Sequence, residues 1–419
     1  MGPIIIFDKS ALQSFSIDES VWLDNFFLAN ITPLFYVETL ADLSLKKSKR
    51  PPEQIISELA IKTPKALPNI HHSHLVLGSL IGRKVEMTHG RPIVARGITK
   101  ESPEGKIGVH FEETPEEKAL KRWNEKDFLT IEKDFAKKWR DTIETLNFDL
   151  AIQIVQNILP PQVELKSLVD IKKIVSSLVS KSDKQILLLM FDFLGVPSRY
   201  RSHILQRWQD EKKPSINRFA PYASYVFEID LLFYIAASKG IIAKERRSNK
   251  VDMAYLYYLP FCQIFISGDK LHKKTVPLFL RDNQTFISAH ELKAGLAELN
   301  KYYKKYEDTI AEIGVIQFAT YPPLDLSTSV NQLWDLYCPN WKENSKNKKA
   351  NKKTSVKKGD KKLLKHLNKI EKESKVVNPN VLKDTDEANH VIVKHRVAVQ
   401  KGGWRILPRG IENKGSEED

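Results

Sequence analysis

Short apolar runs and helical stripes alternate along this chain, and their order is the first guide to its fold. Residues 4–7, Ile-Ile-Ile-Phe, form an unbroken apolar run ended by Asp8, with the length and β-branched make-up of one buried strand. Asp18 and Glu19 then open an amphipathic helix with Trp22, Leu23, Phe26 and Phe27 on its apolar side. Asn30-Ile31-Thr32-Pro33 breaks that helix, and 34–43 restarts as a strand-to-helix segment carrying Glu38. The basic, proline-bearing stretch 46–52 reads as a linker. Glycines at 82, 90, 97, 105 and 108 separate short β-like runs and predict small strands and turns over 82–113.

Thr114-Pro115-Glu116-Glu117 is a helix start, with a capping threonine, a proline in the first turn and a glutamate three residues after the cap. Leu120, Trp123, Phe128, Ile131, Phe135, Trp139, Ile143 and Leu146 follow at near-helical spacing and predict one long helix. Helical patterns continue to about 239, interrupted at Pro160-Pro161, Gly195-Val196-Pro197 and Pro214. Residues 248–267 read as a helix feeding the strand Gln263-Ile264-Phe265-Ile266. Ser288-Ala289-His290-Glu291 is a second capping box, and its helix is expected to stop near Gly314. The alternation at 391–400, followed by Gly402-Gly403-Trp404, predicts a small hairpin or docking arm. Strands alternating with helices at both ends of a mainly helical middle point to an α/β core.

Composition narrows the classes. Of 419 residues 42% are hydrophobic, which excludes wholesale disorder and leaves ample material for a core. Only Cys262 and Cys338 are present, so neither a cysteine zinc site nor a disulfide framework is expected. Residues 4–7 are too short for a secretion signal, and no run reaches the ~20 apolar residues that cross a bilayer. A soluble, cytoplasmic protein is the expectation. The net charge of +14 is uneven: 342–375 holds fourteen lysines against four acids, which leaves the remainder close to neutral.

Acids mark the element ends. Asp8 follows the first strand, at the carboxyl edge where open α/β sheets bind ligands. Asp252 opens a helix, and the strand after it ends in Ser267-Gly268-Asp269. Glu38 interrupts an apolar face. Converging carboxylates repel and raise one another's pKa, a conflict that a divalent cation removes. Mg²⁺ and Mn²⁺ favour such hard oxygen donors, and a pair of them can drive phosphodiester hydrolysis.

The ordered set Ile-Phe-Asp8-Lys-Ser-Ala-Leu, Glu38 within Val-Glu-Thr-Leu, Asp252, and Ser267-Gly268-Asp269 resembles the PIN-domain nucleases. In that family an aspartate ends the first strand and a glutamate lies on an early helix. Another aspartate starts a late helix, and Ser/Thr-x-Asp closes the next strand. The resemblance covers roughly 1–45 and 250–290, and 213 residues separate Glu38 from Asp252, far more than a minimal PIN domain contains. It implies an α/β PIN-like α/β/α sandwich with a mostly parallel sheet, extended by a large mainly helical insert and a basic C-terminal tail. The core would be assembled from 1–45 and 250–341 around the insert 46–249, followed by a lysine-rich linker, 342–375, and a β-like arm, 376–419. Asp8, Glu38, Asp252 and Asp269 would hold Mg²⁺ or Mn²⁺, with Ser267 in support.

Plainer readings stand beside these. Asp8 could simply turn the chain at a strand end, Glu38 could be solvated or pair with Lys9, and Asp252 could be a helix N-cap. His71, His72 and His74 read as loop residues, Cys262 as a small packed hydrophobe, and Tyr255, Tyr257, Tyr258 and Phe261 as helix core. Asp42 and Asp230 are spare acids that could replace a wrongly assigned ligand. Lys9 and Lys270 neighbour the acids and could touch phosphate. Lys348, Lys349, Lys352, Lys353, Lys357 and Lys358 suit sequence-independent attraction to a nucleic-acid backbone, or a merely solvated linker. The expected function is a metal-dependent endonuclease acting on RNA ahead of DNA. The rivals are a PIN-like module that binds nucleic acid or protein without cutting, and a defence- or toxin-type nuclease gated by the insert.

Overall fold

A computed structural model of the chain describes residues 2–45, 49–65, 68–88, 97–101, 107–111, 114–159, 165–351 and 399–406, with backbone alone at 97–101, 107–111, 348–351 and 399. At the N-terminal end, β1 (Ile4–Phe7) runs into α1 (Lys9–Ser14), which Asp8 caps by accepting a hydrogen bond from the Ala11 amide at 2.8 Å. Ser16 and Glu19 form the reciprocal capping box of α2 (Ile17–Phe26). Next, β2 (Leu28–Ala29) pairs in parallel with β1, and Thr32 caps α3 (Pro33–Leu40). The strand expected within 34–43 is therefore displaced to the two residues that the hydrophobic pattern assigns to a helix end.

From the 3₁₀ turn Ala41–Ser44 to Asn249 the described chain is helical apart from an antiparallel hairpin, β3 (Gly97–Glu101) with β4 (Ile107–Phe111). That hairpin falls inside the glycine-rich stretch read as small strands. The centre of the insert is the helix Pro221–Ser238, which is apolar and buried nearly all round. It packs against the helices His72–Leu80, Asp149–Ile158 and Leu168–Val179, as a helix without a polar face must.

The helix Asn249–Ala254 and the 3₁₀ turn Tyr255–Phe261 return the chain to the sheet as β5 (Ile264–Ser267), and β6 (Thr285–Ser288) follows. The order is β2-β1-β5-β6 and every pairing is parallel, with Phe7 opposite Ile266 and Ser267 opposite Ser288. Continuous apolar strands suit a parallel sheet covered by helices. Parallel strands end at one edge, so Asp8 and Asp269 leave the sheet side by side. The fold is thus a small parallel sheet within a mostly helical chain.

The C-terminal arm closes on this core. β7 (Val399–Lys401) and β8 (Trp404–Ile406) form a hairpin that turns at Gly402, whose φ of 58° favours glycine. Trp404 packs edge-on against Trp22 at 5.0 Å, and both indole N–H groups donate to Asn300 Oδ1. Residues 352–398, with most of the lysine run and the start of the 391–400 alternation, lie outside the described residues.

Other boundaries shift. The single long helix expected after Thr114 is two helices, Pro115–Asn124 and Thr130–Thr145, separated at Lys126, whose φ is 59°. The helix after Ser288 ends at Lys304, and a separate helix, Glu307–Ile313, reaches Gly314 at φ 82°. The histidines read as loop residues instead start the helix His72–Leu80, with His71 as its cap. No helix among the described residues is long and apolar enough to cross a membrane.

Candidate active site

Asp8 is almost completely enclosed by donors. Ser10 Oγ reaches both carboxylate oxygens at 2.8 and 2.9 Å, and Ser267 Oγ donates to Oδ2 at 2.6 Å. His272 Nδ1 lies 3.2 Å from the same oxygen. Burial opposes ionisation of Asp8, but the His272 hydrogen bond and charge, aided by Ser267 and the Ala11 amide, outweigh it and hold the pKa below the ordinary 3.8. Burial likewise works against a charged His272, and Asp8 outweighs it, raising the imidazole above 6.5. Each group thus favours the charged form of the other in this buried Asp8–His272 contact. The other ring nitrogen, Nε2, donates to the Asp252 carbonyl at 2.6 Å, so one histidine ties the first strand to the late helix.

Ser267, the last residue of β5, occupies the junction. Besides donating to Asp8, its Oγ accepts from the Asp269 amide at 2.9 Å. Asp269 caps the helix Lys270–Thr275 through the Leu271 amide at 2.6 Å and turns its other oxygen to Arg246 Nη2 at 3.3 Å. The same Arg246 nitrogen stands 3.7 Å from Asp252 Oδ2. Asp252 is not the helix cap: it is the fourth residue of Asn249–Ala254, and Ser248 holds the cap position. Its Oδ2 is buried with no hydrogen-bond partner. Desolvation chiefly, with repulsion from Asp269 and Glu38 and against the opposing charges of His272 and Arg246, pushes its pKa up to about 7.

Glu38 enters from α3. Tyr255 donates its hydroxyl to Glu38 Oε2 at 2.7 Å, and Lys9 Nζ lies 3.4 Å from Oε1. Lys9 also bonds Asp42 Oδ1 at 2.9 Å, so Asp42 belongs to this neighbourhood. Burial disfavours the Lys9 charge, yet Glu38 and Asp42 together hold its pKa above the ordinary value. Lys9 is therefore an internal counter-ion in this structure, in accord with the plainer reading that pairs it with Glu38. Lys270 is exposed. Lys348 and Lys349 lie on the helix Trp341–Asn351, where side chains are not described, and Lys352, Lys353, Lys357 and Lys358 fall outside the described residues.

The other spare acid, Asp230, is held by Lys250 and Tyr257. His72 packs on Tyr257 at 4.8 Å and is kept neutral by burial, its pKa lowered to about 3. Cys262 is buried beside β5, in accord with a packing role.

Sequence reasoning missed His272, Arg246 and Ser10. For His272 a signal existed: it sits three residues past Asp269, one helical turn along, in a segment that must pack on the sheet. Arg246 arrives from the end of the insert and carries no local signature.

Among the described residues no three His, Cys, Asp or Glu side chains stand close enough to hold a metal as they are. The donor set nevertheless fits a hard divalent cation in kind. It is all carboxylate, and one buried carboxylate oxygen lacks a hydrogen bond. The protein's own cations, Lys9 between Glu38 and Asp42 and Arg246 between Asp252 and Asp269, neutralise the acids in pairs. Comparison with known proteins adds no relative: no family model, curated protein or solved structure matches this chain.

Proposed function

We propose that this chain is a metal-dependent endonuclease with a PIN-like core, cleaving phosphodiester bonds in RNA ahead of DNA. One observation carries the reading. Asp8 and Asp269 leave the carboxyl edge of the parallel sheet, and nearby Asp252 is buried, under-bonded and electrostatically opposed by Asp269 and Glu38, although among the described residues no three acids stand close enough to hold an ion as they are. Asp252 and Asp269, completed by Asp8 and Glu38, would hold Mg²⁺ or Mn²⁺. When bound, such an ion draws charge from the scissile phosphate and makes water a better nucleophile.

The chain's own residues prepare that site. His272 keeps Asp8 ionised and fixes its orientation, Ser267 sets the spacing of Asp8 and Asp269, and Tyr255 orients Glu38. Arg246 must release Asp252 and Asp269 before an ion can sit between them. That requirement favours a second reading, a module that binds nucleic acid without cutting. It also leaves room for a nuclease gated by the insert, because Arg246 lies within 46–249.

Cleavage of a labelled single-stranded RNA, with and without millimolar Mn²⁺, separates these readings. The native chain is expected to cut only with metal, and Asp252→Asn or Asp269→Asn to lose about a hundredfold or more in rate. Metal should also raise the native melting temperature and should do so less in either variant. RNA binding with no cleavage and no metal-dependent stabilisation would establish the non-cleaving module instead.

A further inference from the structure

We infer that one face of the helix Thr130–Thr145 and the cleft at its end form a track that delivers single-stranded nucleic acid to the carboxylates. The inference rests on the nuclease reading and deepens it. Ile131, Phe135, Trp139 and Ile143 recur every four residues and so form one stripe along the helix. Ile131 is 73% and Phe135 41% exposed, whereas Trp139 and Ile143 are half-buried toward the side that buries Ala136, on a helix that packs on the turn Ala41–Ser44. The Phe135 and Trp139 rings lie near-parallel, with an interplanar angle of 20° and centroids 6.3 Å apart. Exposed aromatic and aliphatic side chains in a row mark an interaction surface rather than a packing accident.

Charge decides what that surface receives. Lys138 is exposed beside the stripe, whereas Lys133 and Lys137 face away from it. At its end Ile143 lines a cleft of about 970 Å³ together with Arg140, Lys244, Arg246 and Arg247. Acids share the lining, but the cations stand nearest the proposed site. Arg140 donates to the Ala41 carbonyl at 3.0 Å and lies 3.8 Å from Asp42, while Arg246 reaches Asp252 and Asp269. Aromatic rings leading to a cleft where Arg140, Lys244, Arg246 and Arg247 stand with Glu144, Asp149 and Glu245 match a polynucleotide whose bases stack while its backbone follows those four cations. The strand must be single, because a duplex turns its base faces inward. A protein partner would use the apolar stripe but would have no need of the cationic path to the acids.

The test uses the full-length chain in chelator, so that nothing is cut, and reads fluorescence anisotropy of a labelled oligouridine. Phe135→Ala and Trp139→Ala are each expected to weaken binding about tenfold with the salt dependence unchanged, since stacking releases no counterions. Lys244→Gln combined with Arg247→Gln should weaken binding and flatten the log–log salt slope by about 1.4. Trp139→Leu keeps an apolar side chain without the ring, so a loss there shared with Trp139→Ala assigns the effect to stacking rather than to folding. Native melting curves in every variant serve as the control, and the Mn²⁺-induced rise in melting temperature should persist. Unchanged affinity in the ring variants, equal binding of a duplex, or a change only in self-association would overturn the track. Any of these results with the Mn²⁺ response intact would leave the nuclease reading standing, whereas a lost Mn²⁺ response with the track intact would do the reverse.

Discussion

Asp230 and Asp252 sit on two helices that pack against each other, both largely out of solvent, and the fold treats them in opposite ways. Asp230, on Pro221–Ser238, receives the Lys250 ammonium and the Tyr257 hydroxyl on one oxygen. The same ammonium lies over the Tyr234 ring at 5.1 Å. Asp252, two residues after Lys250, has a buried oxygen without a hydrogen bond, and its nearest cation is an arginine that is 59% exposed. A buried charge with a close partner has its desolvation offset by that partner, and removing one member of the pair is costly. A buried charge left under-bonded is expensive, and under the proposed function Asp252 is the carboxylate that a bound ion would satisfy. The first carboxylate ties the helix Pro221–Ser238 to Asn249–Ala254; the second, on that proposal, is held in reserve for an ion.

The contrast predicts opposite signs for two substitutions. Asp230→Ala strands the Lys250 ammonium in an apolar setting and should cost about 3–5 kcal/mol. Asp252→Asn removes a poorly solvated charge and should stabilise the metal-free protein near pH 8. Urea denaturation of both variants decides the matter. Destabilisation of similar size in both would show that the two acids play the same structural part.

The pH dependence sharpens the same difference. The folded pKa of Asp252, about 7, stands above the ordinary 3.8, so the unfolded chain loses this proton first as pH rises. Stability from this group therefore falls between about pH 4 and pH 7 and is flat above, by roughly 4 kcal/mol at most. His272 contributes in a different window. Its raised pKa gives stability that is complete below 6.5 and lost as pH climbs through the folded value. Asp8, held low, contributes above 3.8 and loses that contribution as pH falls through its depressed folded value. Native protein and Asp252→Asn should thus melt together near about pH 4 and separate progressively up to about pH 7, the variant being the more stable. Parallel melting curves across that range would remove Asp252 from the account.

How much of this could be read beforehand depended on distance along the chain. The strands at Ile4–Phe7 and Ile264–Ser267 are legible because each is an apolar run closed by a polar residue, and the caps at Thr114 and Ser288 because capping is local. Leu28–Ala29 is not legible, since its strand character comes only from pairing with β1. Nor is the break at Lys126, where a lysine takes a left-handed backbone that its residue type does not announce. In the site, Asp8 and Asp269 stand out as acids at strand ends, and both also cap the helices that follow. The capping alternative was attached to Asp252 and belongs to these two instead. Of the counter-ions, His272 is hinted at by its place one helical turn past Asp269, whereas Arg246 comes from an element that meets the site only in the folded chain.

The smallest expected effect on stability concerns Arg246, and it tests whether Asp252 is truly in reserve. Its guanidinium is more than half exposed, so its ion pairs with Asp252 and Asp269 should contribute no more than about 1 kcal/mol. Arg246→Gln should accordingly melt within a few degrees of the native protein. Its effect on metal should be larger and of the opposite sense. A cation between two carboxylates competes with any ion entering there, and removing it leaves both acids repelling each other across the gap. Titration calorimetry with Mn²⁺ alone is expected to show tighter binding in Arg246→Gln, by about three- to tenfold. Asp230→Asn, which changes the locked acid and leaves the reserve untouched, should not alter Mn²⁺ affinity at all. Equal Mn²⁺ affinity in native protein and Arg246→Gln would mean that the arginine does not occupy the ion's place. Weaker binding in Arg246→Gln would mean that it organises the acids rather than standing in for a metal, and the distinction between a locked and a reserved carboxylate would then fail.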